Sequence, residues 1–141
     1  MAAFSRRCAI RPVPWDVLGV VALGGALGAV LRHGISVLLP HRGFPWATLL
    51  TNVAGCLAIG VLMYVITELV QAHRLVRPFV GIGVLGGFTT LSTYVVEGLG
   101  LAERAPALAA LYLVGSVFAC LGAVLLGLLG SRSVAESLRR R

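Results

Sequence analysis

The chain has 141 residues, 58% of them hydrophobic, and its mean hydropathy is +0.95. Soluble domains do not reach this apolar content, so the composition excludes that class. The twelve basic residues are all arginines and the net charge is +7, but no aromatic-basic surface pattern accompanies them, which argues against a nucleic acid partner.

Four apolar stretches follow one another, at about residues 16–39, 46–70, 79–101 and 106–130. Each reaches the ~20 residues that a helix needs to cross the hydrocarbon core of a bilayer. Prolines stand before or at the start of these stretches, as at the first turns of helices. The short connections predict antiparallel neighbours. The sequence therefore predicts an all-α membrane protein with four transmembrane helices, between basic tails at 1–15 and 131–141.

Small residues recur at a spacing that suits helix packing in membranes. Gly24 and Gly28 form one G-x-x-x-G pair, and Gly83 and Gly87 form another. Such pairs let helix backbones approach closely, and the eighteen glycines of the chain favour a tightly packed bundle.

The three cysteines, Cys8, Cys56 and Cys120, are far apart and have neither a metal-ligand nor a redox spacing. Cys56 and Cys120 fall inside apolar stretches, so we expect them to be small packing residues.

The arginines lie unequally on the two sides of the predicted bundle. Nine of them are in the two tails and in the loop between the second and third spans, which share one side. The other side has Arg42 and Arg104, with Arg32 near the end of the first helix. Because arginine-rich segments stay in the cytoplasm, this bias predicts that both termini are cytoplasmic.

The third stretch carries a polar run at membrane depth, G-G-F-T-T-L-S-T-Y-V-V-E from Gly86 to Glu97. Polar groups in hydrocarbon are costly unless they are paired. A helix with so many of them is predicted to be broken there and to line a wet or ion-filled space, which favours transport over a passive anchor. Glu97 either titrates, pairs with a partner such as an arginine, or faces water.

Two further spans carry polar side chains. Asn52 lies about two turns into the second span, where its amide either serves transport or pairs helices. Tyr112 and Ser116 are four residues apart on the fourth, and Ser92 and Thr93 extend the hydroxyl row on the third. Neutral donors of this kind can replace the hydration shell of an anion. No catalytic triad, metal-hydrolase site or phosphate loop points to an enzyme.

Three motifs together resemble the Fluc/CrcB family of fluoride channels. They are the polar run of the third span, G-G-A-L-G-A-V-L-R-H at Gly24–His33, and T-L-L-T-N-V-A-G at Thr48–Gly55. Their order, their spacing and the four-span layout agree with the family, and the likeness covers the chain beyond the predicted N-terminal tail.

The resemblance implies small four-helix subunits that pair antiparallel in the cell membrane, with two fluoride pores in each dimer. It also implies a sodium ion at the dimer centre, which is structural and not transported, and whose ligands are backbone carbonyls of Gly86 and Thr89. The implied function is passive, fluoride-selective export from the cytoplasm, which lowers fluoride toxicity.

The resemblance implies a fluoride pore lined from three helices by Asn52, Leu91, Ser92, Thr93, Tyr94, Glu97, Tyr112 and Ser116. Arg32 matches a first-helix arginine that is structural or attracts anions to a vestibule.

The chain departs from the family at two motif positions and in its charge balance. The family motif reads T-T-F-S-T-F, and its phenylalanines present positively polarised ring edges to fluoride. Leu91 has no such edge and Tyr94 keeps most of one, so we expect an altered or weakened pore. The chains of an antiparallel homodimer must insert in both orientations, which favours nearly equal charge on the two sides of the membrane. The arginines of this chain are distributed unequally. We therefore hypothesise an antiparallel heterodimer with a paralogue, with the homodimer as the other possibility.

Two alternatives stay open at the level of the sequence. A small multidrug-resistance-like proton-coupled exporter also has four spans, but it needs a carboxylate inside the first helix, where this chain has only Asp16 at the edge. A non-conducting membrane assembly subunit explains the hydrophobicity but not the concentrated polar run.

Overall fold

The computed structural model describes residues 14–39, 43–66 and 73–140, except for the side chain of Arg139. Four helical spans in these residues are long and apolar enough to cross a membrane, which confirms an all-α, multi-pass membrane protein. The third span is broken at its centre, as predicted. The elements are α1 (Trp15–Leu38), α2 (Trp46–Tyr64), a π-helical segment (Arg77–Val84), α3 (Leu85–Phe88), α4 (Leu91–Ala102) and α5 (Pro106–Arg139).

Proline marks the start of each span. Pro14 and Pro45 immediately precede α1 and α2, Pro78 lies in the first turn of the third span, and Pro106 is the first residue of α5. Proline has no N–H to donate and its φ angle is already close to the helical value, so it fits these positions without loss of a hydrogen bond.

The helix of the fourth span continues beyond residue 130, and the predicted end of the second span lies outside the described residues. α2 ends at Tyr64, and residues 67–70 of the predicted span lie outside the described residues, as do residues 1–13 of the predicted N-terminal tail. α5 has 34 residues and continues through the predicted C-terminal tail. Hydroxyl groups of Ser131 and Ser133 donate to carbonyls one turn back, and Arg132 pairs with Glu136 one turn on, which supports the extra turns.

The first and third spans pack through the two predicted G-x-x-x-G pairs. A Cβ added to Gly83 would lie 2.9 Å from the Cα of Gly24, and one added to Gly28 would lie 2.8 Å from the backbone nitrogen of Phe88. Side chains do not fit at such distances, so backbone lies directly on backbone along this interface.

α2 and α5 make a second close interface. The two helices run in the same direction, because two antiparallel steps separate the second span from the fourth. A Cβ on Gly60 would lie 3.2 Å from the Cα of Gly127 and 3.1 Å from the carbonyl carbon of Val124. Residues one and two turns before Gly60 and Val124 therefore also lie side by side.

Candidate functional site

The third span is interrupted by two extended residues, Thr89 and Thr90, between the end of α3 and the start of α4. Their backbone angles are −83°, 154° and −146°, 125°. Thr90 caps α4, because its Oγ1 accepts a hydrogen bond from the N–H of Thr93 at 3.2 Å. The T-T pair of the sequence thus ends one helix and begins the next.

Asn52 of α2 stabilises the break with two hydrogen bonds to one residue. The N–H of Thr90 donates to Oδ1 of Asn52 at 2.8 Å, and Nδ2 of Asn52 donates to the carbonyl of Thr90 at 3.0 Å. One turn further along α2, Gly55 leaves room for the side chains of Phe88 and Thr89. The amide therefore supplies the partners that the broken helix lacks at membrane depth.

The break releases the two carbonyl groups that were predicted as cation ligands. In a continuous helix, the N–H of Thr90 would donate to the Gly86 carbonyl, and the N–H of Thr93 to the Thr89 carbonyl. Both N–H groups instead donate to side-chain oxygens, of Asn52 and Thr90 respectively. Gly86 is exposed, and a Cβ there would have no atom within 4 Å. Neutral carbonyl oxygens of this kind suit a hard cation.

Two cavities flank the break, and Thr90 lines both. The cavity that we call the α5 cavity has a volume of about 350 Å³ and lies among α2, α4 and α5. The α1 cavity, of about 190 Å³, lies among α1, α2 and α4. Of the predicted residues, the α5 cavity is lined by Asn52, Thr89, Leu91, Tyr94 and Ser116, and the α1 cavity by Arg32, Thr93 and Glu97.

Ser116 lines the α5 cavity and has a buried hydroxyl group. The side chain is 5% exposed, and its Oγ is buried without a hydrogen-bond partner in the part of the chain that the structure describes. It lies on α5 at the level of Asn52 on α2. Burying an unsatisfied hydroxyl is unfavourable, so a partner supplied by an ion or by water would stabilise it.

A row of hydroxyl groups leads from the break along α4. Thr90 is 8% exposed, and its hydroxyl donates to Oγ1 of Thr93 at 3.0 Å. Glu97 follows one turn later, and the hydroxyl of Tyr112 donates to its Oε2 at 3.3 Å. Tyr112 is only 1% exposed, so this hydrogen bond reaches the Glu97 carboxylate from the buried interior of the helix bundle.

The two motif departures differ in their surroundings. The hydroxyl of Tyr94 donates to the carbonyl of Leu113 on α5 at 2.5 Å, and its ring centroid lies 5.3 Å from that of Tyr112. The ring of Tyr94 is therefore fixed at both ends. Leu91 is 74% exposed and lines the α5 cavity.

Three predicted residues, Gly86, Ser92 and Tyr112, line neither cavity, and one important residue was missed. Ser92 is exposed, with its Oγ 3.4 Å from that of Thr90, and neither Ser92 nor Gly86 lines the α1 or α5 cavity. Thr90 was not predicted as a site residue, although it caps α4, binds Asn52 and lines both cavities. The sequence did contain a signal for this cap, because the Thr90 hydroxyl stands three residues before Thr93, the spacing at which an N-cap side chain accepts from a backbone N–H.

These features define a class of protein: a small multi-pass membrane protein with a span that is broken at membrane depth and lined by neutral hydrogen-bond donors. The chain belongs to the family described as CrcB-like protein, Camphor Resistance (CrcB), which residues 19–128 match. The resemblance drawn from its motifs is thereby confirmed.

Several relatives in this family carry names that describe a channel. The chain is 48% identical to "Fluoride-specific ion channel FluC 2" of Nocardia farcinica over 134 residues, which cover 93% of this chain and 96% of the relative. It is 50% identical to "Fluoride-specific ion channel FluC 1" of Streptomyces coelicolor over 85% of this chain and 80% of the relative. It is 43% identical to "Fluoride-specific ion channel FluC" of Paracoccus denitrificans over 81% of this chain and 93% of the relative.

Proposed function

We propose that this chain is a subunit of a fluoride-selective passive channel, which lets fluoride leave the cytoplasm and so lowers its toxicity. The observation that carries the proposal is that Thr90 lines both cavities at the break, so that neutral donors follow one another from the α1 cavity to Ser116. The relatives named as fluoride-specific channels support the choice of ion.

In this mechanism Arg32 raises the local concentration of anions at the α1 cavity. Fluoride then exchanges water for the hydroxyl groups of Thr93 and Thr90, and in the α5 cavity it meets the hydroxyl of Ser116. These donors are neutral, so they bind the ion without trapping it. Tyr112 holds the Glu97 carboxylate by a hydrogen bond, which keeps that charge at the wall of the α1 cavity.

The driving force needs no second substrate. Neutral HF crosses a bilayer and dissociates in a less acidic cytoplasm, where fluoride accumulates. An inside-negative potential then favours outward movement of the anion by ~2.3 kcal/mol per 100 mV. We therefore propose a transport role rather than a catalytic one. In line with this, the acid of α1, Asp16, lies in its first turn and pairs with Arg74, which leaves no carboxylate inside that helix for a proton-coupled exporter.

The proposal includes an antiparallel dimer with a structural sodium ion between its subunits. The released carbonyls of Gly86 and Thr89 would be the ligands from this chain, and when bound the ion supplies fixed positive charge at the break. We further propose that both termini are cytoplasmic and that the partner is an oppositely oriented paralogue. The numbered names FluC 1 and FluC 2 among the relatives fit such a pair.

Fluoride efflux from liposomes tests the function. Vesicles that contain the purified chain alone are loaded with fluoride, and efflux is followed with a fluoride electrode, with chloride-loaded vesicles as the control. We expect fluoride-selective efflux, either from the chain alone or after addition of the paralogous subunit. A folded sample that conducts neither way, or that releases chloride as fast as fluoride, would contradict the proposal.

A further inference from the structure

Two cysteines that were predicted to be packing residues meet in the α5 cavity. Cys56 of α2 and Cys120 of α5 are both free, and they line the same cavity from two neighbouring helices. Both residues line the α5 cavity together with Asn52 and Ser116. The chain therefore presents a pair of thiols, from two different helices, directly beside the candidate ion route.

Rigid helix packing fixes this contact. Gly60, one turn after Cys56, lies against Val124, one turn after Cys120, and the Cα atoms of Gly60 and Gly127 are close enough to exclude any side chain between them. Backbone contact of this kind leaves the helices little freedom to separate. The two cysteines are thus held on neighbouring turns of packed helices and do not depend on a flexible loop.

We propose that Cys56 and Cys120 form a two-coordinate site for a soft divalent cation of the mercuric class. Thiolate sulfur is a soft ligand and selects soft metal ions over hard ones, which prefer oxygen. The structure offers two sulfur atoms and no cluster of three or more metal-ligating side chains among its described residues, so the site suits a metal that is satisfied by two ligands.

Charge balance selects a divalent ion over a monovalent one. With mercuric chloride, two S–H bonds and two Hg–Cl bonds are broken and two Hg–S bonds form, while two protons and two chloride ions leave. The product, with two thiolates on one divalent ion, is neutral. A monovalent soft cation on the same two thiolates would form a complex with one net negative charge.

A disulfide and a metal site differ in what they require. Both use the thiolate, but a disulfide forms from two thiols only with a two-electron oxidant. Mercuric chloride is itself neutral and reacts by exchange of ligands, without an oxidant. A metal held between these sulfur atoms would stand beside Asn52 and Ser116 in the α5 cavity. We therefore expect it to block ion movement, a consequence that rests on the proposed function.

Direct binding tests the site without reference to transport. The full chain carrying Cys8→Ser is purified in detergent, incubated with mercuric chloride, washed with excess glutathione and assayed for bound mercury by mass spectrometry. We expect one mercury ion per chain to survive the wash. In the same background, Cys56→Ala and Cys120→Ala each leave a single thiol, which a competing monothiol strips. Loss of mercury from the Cys8→Ser protein, or its retention in both single variants, would overturn the proposal.

Transport provides the second arm. Fluoride efflux through the Cys8→Ser channel should fall at least tenfold after mercuric chloride and recover with dithiothreitol, while the Cys56→Ala channel stays open. If the free thiols are lost but no mercury is bound, the two cysteines have been oxidised, and this result would overturn the metal site. Block that persists in Cys56→Ala would place the sensitive group elsewhere. If no variant conducts fluoride, either alone or with the paralogous subunit, the proposed function fails, but the binding result still decides whether the dithiol site exists.

Discussion

The two halves of the broken third span are built on different principles. The half before the break packs on α1 through glycines, so what matters there is the absence of side chains. The half after the break packs on α5 and carries the hydroxyl groups and Glu97. The half before the break therefore fixes the position of the break, and the half after it supplies the polar side chains. Substitutions in the first half should therefore affect folding, and those in the second half, and in the side chains facing it, should affect transport.

The largest effect is expected for Gly83→Leu in the packing half. A Cβ at this position would lie 2.9 Å from the Cα of Gly24, so the leucine cannot fit without separating the helices. Overpacking of this degree costs roughly 3 kcal/mol or more. We expect loss of monodisperse protein in size-exclusion chromatography. The matched control is Gly34→Leu, at a site on α1 with no atom within 4 Å, and equal loss in both variants would contradict the comparison.

Asn52→Ala should affect both folding and transport, because Asn52 links α2 to the break. The change leaves the N–H and the carbonyl of Thr90 without their partners, at a cost of about 1–3 kcal/mol each. We expect a lower melting temperature and fluoride efflux reduced at least roughly tenfold, since the break can no longer be held in one geometry. Wild-type efflux and stability in this variant would show that the break keeps its geometry without Asn52.

Ser116→Ala should slow transport without destabilising the protein. The hydroxyl has no partner in the described residues, so its removal leaves the fold intact but takes away a donor worth about 0.5–1.5 kcal/mol to a passing ion. Efflux should therefore fall by roughly three- to tenfold with an unchanged melting temperature. Ser131→Ala is the control, because that hydroxyl is already bonded to the Gly127 carbonyl, and it should conduct normally.

The smallest effect is expected at the motif departure. Leu91→Phe restores an aromatic ring in the lining of the α5 cavity, and an edge-on ring contributes about 0.5–1.5 kcal/mol. We expect fluoride efflux to rise by roughly two- to tenfold. A neutral or lower rate would show that Leu91 does not face the ion. Leu99→Phe, at an exposed position of α4 that lines neither cavity, serves as the control and should conduct at the unsubstituted rate.

The sequence was sufficient for the spans and for the existence of the break, because both depend on local composition. Hydropathy located the helices, and the density of polar residues after Gly86 located the interruption. The sequence alone could not predict how the helices are aligned with one another, since that alignment depends on which glycines of neighbouring helices touch. For that reason Thr90, whose role depends on Asn52 of another helix, was missed, and Cys56 and Cys120 were not expected to line the same cavity. α5 continues past residue 130 because arginines are compatible with a helix that leaves the membrane, and the membrane boundary at that residue stays a prediction.

The central claim is that ions pass Thr90 between the two cavities, and one paired efflux measurement tests it. Thr90→Val and Thr51→Val each remove a hydroxyl and keep the shape of the side chain. Both residues line the α1 cavity, but the Thr51 hydroxyl is committed to carbonyls of its own helix, at 3.0 Å from Ala47 and Thr48. We predict that, per folded subunit in liposomes, Thr90→Val slows fluoride efflux at least roughly tenfold while Thr51→Val stays close to the wild type. Equal rates in the two variants would contradict the route.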